Sequence, residues 1–96
     1  MTKENGIGLT FTRGLMQLVD WQNRAFVKAA VEFEWETRRP GFPPAETVWH
    51  QEPVGIVAAV IPWNAPQQSA TVKIVPVLLA GCSVIPKLAL ETALDG

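Results

Sequence analysis

The sequence holds one cysteine in 96 residues. A single thiol cannot form an internal disulfide, and the expectation is a chain of the reducing cytosol. No apolar stretch reaches the roughly 18 residues that a membrane-spanning helix needs; the longest, 54–62, falls well short. The first residues carry no apolar core of the secretory kind, so no signal peptide is expected. There is no run of basic residues, and the formal net charge is −1, so nothing in the charge pattern points to nucleic acid. His50 is the only histidine and has no Cys or His at metal spacing, which reads as a surface strand residue and no metal site. Gly6-Ile7-Gly8 lacks the third glycine and the preceding strand of a dinucleotide loop; it reads as a helix-ending glycine and a loop.

What remains is a globular composition, 48% hydrophobic. A chain of this length makes at most one small domain and buries only about 60–65% of its unfolded surface. Residues 13–32 predict a helix, with Thr12 as its N-cap and Leu15, Val19, Phe26, Ala30 and Phe33 as its inward stripe. Asp20 and Arg24 form an i,i+4 pair on the polar face. Residues 33–38 alternate apolar and charged, 40–44 are rich in proline, and 46–51 offer a second strand; 33–51 therefore reads as a hairpin with a long tip. Glu34 and Glu36 read as its wet face rather than an acid–base pair. The four tryptophans, at 21, 35, 49 and 63, are evenly spaced, but their flanks share no pattern, so no repeat is inferred.

The most informative stretch is Glu52-Pro53-Val54-Gly55 followed by the apolar run to Ile61 and then Pro62-Trp63-Asn64-Ala65-Pro66. The run 54–61 reads as a strand buried on both faces. Residues 67–80 read as a helix kinked at Pro76 and ended by Gly81, and 82–85 as a second short strand. Strand–helix–strand over 54–85 is one βαβ unit, which implies parallel strands and an α/β fold. The tail, 88–96, starts a further helix. In open α/β sheets ligands bind beyond the carboxyl ends of the strands, which is where Asn64 and Lys87 fall.

The ordered pieces EPVG, IPWNAP, Lys73-Ile74-x-Pro76 and LAGCSVIPK resemble the NAD(P)-dependent aldehyde dehydrogenases. The resemblance covers 52–87 most specifically and extends to TKENG at 2–6 and to 33–39. It implies that the chain, 1–96, is a fragment of that family's Rossmann-like cofactor-binding domain: a helix (13–32), a hairpin arm (33–51) and the βαβ unit (54–85). The activity it implies is oxidation of an aldehyde to a carboxylic acid with NAD or NADP, through a cysteine thioester. The hairpin would then join subunits, either two copies of this chain or this chain and a full-length relative.

Residue by residue, the resemblance implies that Asn64 donates to the oxyanion, that Ile61, Pro62 and Trp63 line the cofactor groove, and that Lys87 donates to the cofactor ribose. Read without it, Asn64 is a turn residue satisfying its own backbone and Lys87 a solvated charge. The sequence departs from the family after Lys87. Leu88 and Ala93 replace two prolines, Pro86 is new, and Leu90 stands where many members carry a ribose-binding glutamate. Cys82 opens an apolar strand with no basic neighbour and reads as an inert buried thiol, so neither nucleophile nor general base is recognised here. Two other readings stay open: a non-catalytic truncated product, unstable or associating with a full-length relative, and a free-standing nucleotide-binding module. The second is weakened by the missing phosphate-cradling loop.

Overall fold

The computed structural model describes residues 2–95. A one-turn helix α1 (Thr2–Asn5) is followed by Gly6 at φ +73, so the helix-ending glycine is where the sequence put it. Helix α2 (Leu9–Glu32) starts a full turn earlier than expected. Gly8, not Thr12, is the N-cap. The Thr12 N–H and hydroxyl both donate to the Gly8 carbonyl, at 3.0 and 3.3 Å, which puts Thr12 inside the first turn. The inward stripe is largely as read: Leu15 is buried, and Val19, Phe26 and Ala30 are half-buried along α3. Asp20 and Arg24 meet at 3.0 Å on the exposed face.

The hairpin is present with a shifted first strand. Strand β1 (Glu36–Pro40) pairs antiparallel with β2 (Glu46–His50), from Glu36↔His50 to Pro40↔Glu46. Phe33 and Trp35 are not ladder residues of β1. Phe33 caps α2 in extended conformation, its ring lies 4.6 Å from that of Trp35, and the Trp35 indole donates to the Ala30 carbonyl at 3.3 Å. The apolar–charged alternation there comes from an aromatic pair closing the helix end, not from a strand.

The βαβ unit consists of β3 (Ile56–Val60), α3 (Pro66–Leu79) and β4 (Ser83–Lys87). The two strands are parallel, with Ile56↔Ser83 through Val60↔Lys87 in register. Gly55 at φ +106 leads into β3, and Gly81 at φ +78 ends α3. Pro76 is accommodated within α3 and lies against Phe26 and Ala30 of α2. One expectation needs correction: β3 is buried on one face only. Ala59 and Ile61 are buried and Val57 half-buried, whereas Ile56, Ala58 and Val60 are exposed. Helix α3 covers the first face, and no element among the described residues covers the second.

The ladder also fixes the sheet's two outer edges. The Ser83 N–H donates to the Gly55 carbonyl and the Ile61 N–H to the Lys87 carbonyl. Odd-numbered residues of both strands therefore face one another, and Val60 and Pro86 point outward. Lys73, from α3, donates to the outward Val60 carbonyl, and Pro86 has no outward N–H to offer.

Where a further helix was expected, the tail forms a 3-10 segment (Leu90–Asp95) that lies against α1 and α3; residue 96 lies outside the described residues. Thr92 within it is almost fully buried. The molecule is elongated, 64 × 24 × 14 Å, with a radius of gyration of 18.3 Å; a compact chain of this size has about 13 Å. The hydrophobic core is small, with Leu15, Ala59, Ile61 and Cys82 as its buried members among the described residues. No helix of the described residues is long and apolar enough to cross a membrane. The four tryptophans lie in a helix, a bend, a strand and a loop, in keeping with the absence of a repeat.

Candidate functional site

The site is built where β3 runs out. Its ladder continues for one residue through the 2.9 Å bond from Ile61 to Lys87, and the Ile61 side chain is 2% exposed. Five residues later Pro66 is also buried, as the first residue of α3. Pro there has a preset φ and lacks only an N–H that a helix start would leave unpaired. Between these two anchors Pro62, Trp63 and Asn64 are exposed. The loop is thus pinned at both ends with its polar residue turned to the surface. Among the described residues the Asn64 side chain makes no hydrogen bond, so its amide is not spent on its own turn.

Lys87 closes β4 directly beside Val60. Its ammonium group is exposed and has no hydrogen-bond or ion-pair partner among the described residues. The fold therefore gathers Ile61, Pro62, Trp63, Asn64 and Lys87 at one end of one sheet. It also adds a residue given no role from sequence: the Lys73 ammonium holds the Val60 carbonyl from the opposite edge of β3. The signal was the lysine's place in the Lys73-Ile74-x-Pro76 motif, but the reach across thirteen residues required the βαβ crossover.

An unpartnered ammonium, a free amide and the half-exposed Trp63 ring at the carboxyl ends of two parallel strands fit a sugar and an adjacent ring. Nothing in the chain resembles a glycine loop for the pyrophosphate, so the fit is to part of the ligand. Beyond Lys87 the turn is apolar: Leu88 is half-buried beside Val19 and Ile74, and Leu90 is 93% exposed.

The remaining candidates fall elsewhere. Cys82 is buried at the amino end of the β4 segment, five residues and roughly 16 Å from Lys87 along the strand. It is at the wrong end of the sheet to act beside Asn64. His50 and Glu36 face each other across the hairpin at 3.7 Å, with Arg38 3.4 Å from Glu36, and all three are solvated. No group of three metal-ligating side chains occurs among the described residues.

The aldehyde dehydrogenase family model matches residues 1–96. A geranial dehydrogenase of Castellaniella defragrans is 39% identical over 72 residues, 75% of this chain and 15% of that protein. A succinate-semialdehyde dehydrogenase [NADP(+)] of Schizosaccharomyces pombe is 31% identical over 96 residues, covering 96% of this chain and 18% of that protein. The crystal structure of a Mycobacterium tuberculosis aldehyde dehydrogenase complexed with NAD+ superposes with a TM-score of 0.71 at 37% identity, over 80% of this chain and 16% of that one. The chain thus spans less than a fifth of the length of these relatives. With the whole of its length matched by the family model, the chain belongs to the aldehyde dehydrogenase family.

Proposed function

We propose that this chain is a piece of the cofactor-binding domain of an NAD(P)-dependent aldehyde dehydrogenase, and that it contributes the oxyanion donor and part of the cofactor groove. The single observation that carries this reading is the Ile61–Lys87 ladder bond. It brings the IPWN loop and the lysine that ends β4 to the same sheet end, with the Asn64 amide and Lys87 ammonium both unpartnered among the described residues.

When a nucleophile adds to an aldehyde, negative charge develops on the carbonyl oxygen. An amide N–H fixed by a stiff loop stabilises that charge without any change of protonation. Asn64 has this character, held between buried Ile61 and buried Pro66. Lys87 donates to the cofactor ribose, while Ile61, Pro62 and Trp63 form the wall beside it. The bound NAD(P) supplies the hydride acceptor. The nucleophile and general base come from residues that this chain does not contain, so the chain by itself does not turn over aldehyde.

The test joins this chain to the downstream portion of a relative and compares Asn64 with Asn64→Ala. Turnover is expected to fall roughly 10²–10³-fold with cofactor affinity unchanged. An equal loss of cofactor binding would make Asn64 a support for the groove instead.

A second reading, a non-catalytic product that associates through the hairpin, is favoured by one observation. Phe42 at the hairpin tip is 91% exposed, and Val48 and Trp49 of β2 are about half exposed, an apolar load that among the described residues is covered only by the Arg39 guanidinium 5.0 Å from the Trp49 ring. A second copy or a full-length relative would supply the missing cover.

A further inference from the structure

We infer that Lys73 is a positioning residue for Asn64: its ammonium group fixes the peptide from which the IPWN loop departs. The inference deepens the oxyanion reading above and rests on it for its catalytic consequence.

The loop leaves β3 through the peptide unit between Val60 and Ile61, and that unit is held at both ends. Its N–H, on Ile61, donates to the Lys87 carbonyl at 2.9 Å. Its carbonyl, on Val60, accepts from the Lys73 ammonium. It is the last unit that can be held in this way, because Pro62 brings no N–H to the next one. Pro62 also confines the Ile61 backbone to extended conformations. The orientation of the Val60–Ile61 plane is therefore handed on to Trp63 and Asn64 with little freedom between.

Lys73 acts on the other end of the loop as well. The loop closes on α3, where Pro66 is buried and the Ser69 N–H donates to the Ala65 carbonyl at 3.0 Å. On that helix Lys73 stands about two turns beyond Pro66. One side chain thus ties the helix on which the loop ends to the strand on which it begins. Helix α3 gives this lysine no other use. It contains no carboxylate, and the residues four before and four after are Ser69 and Val77. Lys73 makes no ion pair among the described residues. The outer side of β3 is paired by no strand among the described residues, so without Lys73 the Val60 carbonyl would be left to water. With it, the carbonyl is tied to the protein itself by a charge-assisted bond, about twice as strong as a neutral one.

The experiment has two arms. In the first, amide hydrogen exchange is followed residue by residue in the 96-residue chain. Lys73→Met is expected to speed exchange at Ile61 about tenfold or more, the loss of one bond to a charged donor, while the hairpin amides keep their rates. In the second, the chain joined to the downstream portion of a relative carries Lys73→Met, Asn64→Ala or both. Lys73→Met is expected to lower kcat by roughly 10–10²-fold with both KM values little changed, the scale of a small misplacement of a catalytic group. In the Asn64→Ala background the same substitution is expected to cost almost nothing further, because the amide it positions is gone. Lys73→Arg, which keeps a cationic donor on a long stem, restores most of the loss. Unchanged exchange at Ile61, an equal fall in kcat in both backgrounds, or a fall that Lys73→Arg does not restore overturns the positioning role. Full turnover by Asn64→Ala overturns the oxyanion reading instead, and exchange at Ile61 then still decides whether Lys73 fixes the loop.

Discussion

The hairpin and the βαβ unit each contain two five-residue strands, yet they stand in opposite relation to the rest of the chain. Strands β1 and β2 are exposed almost throughout, and their pairing, turn and ion pairs are satisfied within residues 35–51. Strands β3 and β4 share three of the four core hydrophobic residues, or their immediate flanks, with α3. Their other face leaves Ile56, Val60 and Ile85 open at 71%, 56% and 61% exposure. An antiparallel ribbon with alternating charge tolerates water on one or both sides, whereas parallel strands are built to be covered on both. The hairpin is thus locally complete, and the unit that carries the site is not.

The sharpest way to break this comparison is to ask whether the chain stays monomeric. Self-association through the open βαβ face is expected, visible as species larger than monomer in sedimentation and removed by the pair Val60→Lys and Ile85→Lys. A monomeric wild-type chain with a cooperative urea transition of several kcal/mol would show that the unit is autonomous. If instead Trp49→Ser and Phe42→Ser dissociate the assembly, the hairpin is the interface.

Next in size is Ile61→Ala. Ile61 is buried between sheet and helix, and truncation of such a side chain costs about 2–5 kcal/mol, seen as a lower urea midpoint with loss of tryptophan near-UV signal. Gly81→Ala is expected to cost on the order of 1 kcal/mol, because φ +78 is unfavourable for a residue with a Cβ and that atom would meet the Pro53 ring at 3.0 Å. No midpoint change would mean that this helix end is not formed. The smallest effect belongs to the hairpin. Arg38 lies 3.6 Å from Glu46 with both side chains about two-thirds exposed, and Arg38→Ala should cost about 0.2–1 kcal/mol, less in high salt. A cost above that range would place the hairpin in a buried interface.

The βαβ unit was legible because its punctuation is chemical. Two prolines stop β3, a glycine ends α3, and the apolar run fills the space between. Asn64 and Lys87 were legible through the motif that carries them, and the register then brought them to one sheet end. Three features were not legible. Gly8 caps α2 with no side chain to announce it, while Thr12 is a residue type suited to a cap but sits inside the first turn, its hydroxyl donating back to the Gly8 carbonyl. Phe33 and Trp35 imitate strand alternation because two aromatic rings close over the end of α2. The one-sided burial of β3 was hidden because an apolar run records what a strand is suited to, not which layers its own chain supplies.

Pro86 gives the sheet a direction of lateral growth. A strand joining the outer side of β4 meets the Val84 amide but finds no hydrogen at 86, and one joining β3 finds the Val60 carbonyl already taken by Lys73. Both flanks therefore pair less readily near the carboxyl end than near the amino end, at Ile56, Ala58 and Val84. An added strand pairs most readily from the end remote from Asn64, so the loop that carries the amide lies beside the part of the sheet that a neighbour overgrows least readily.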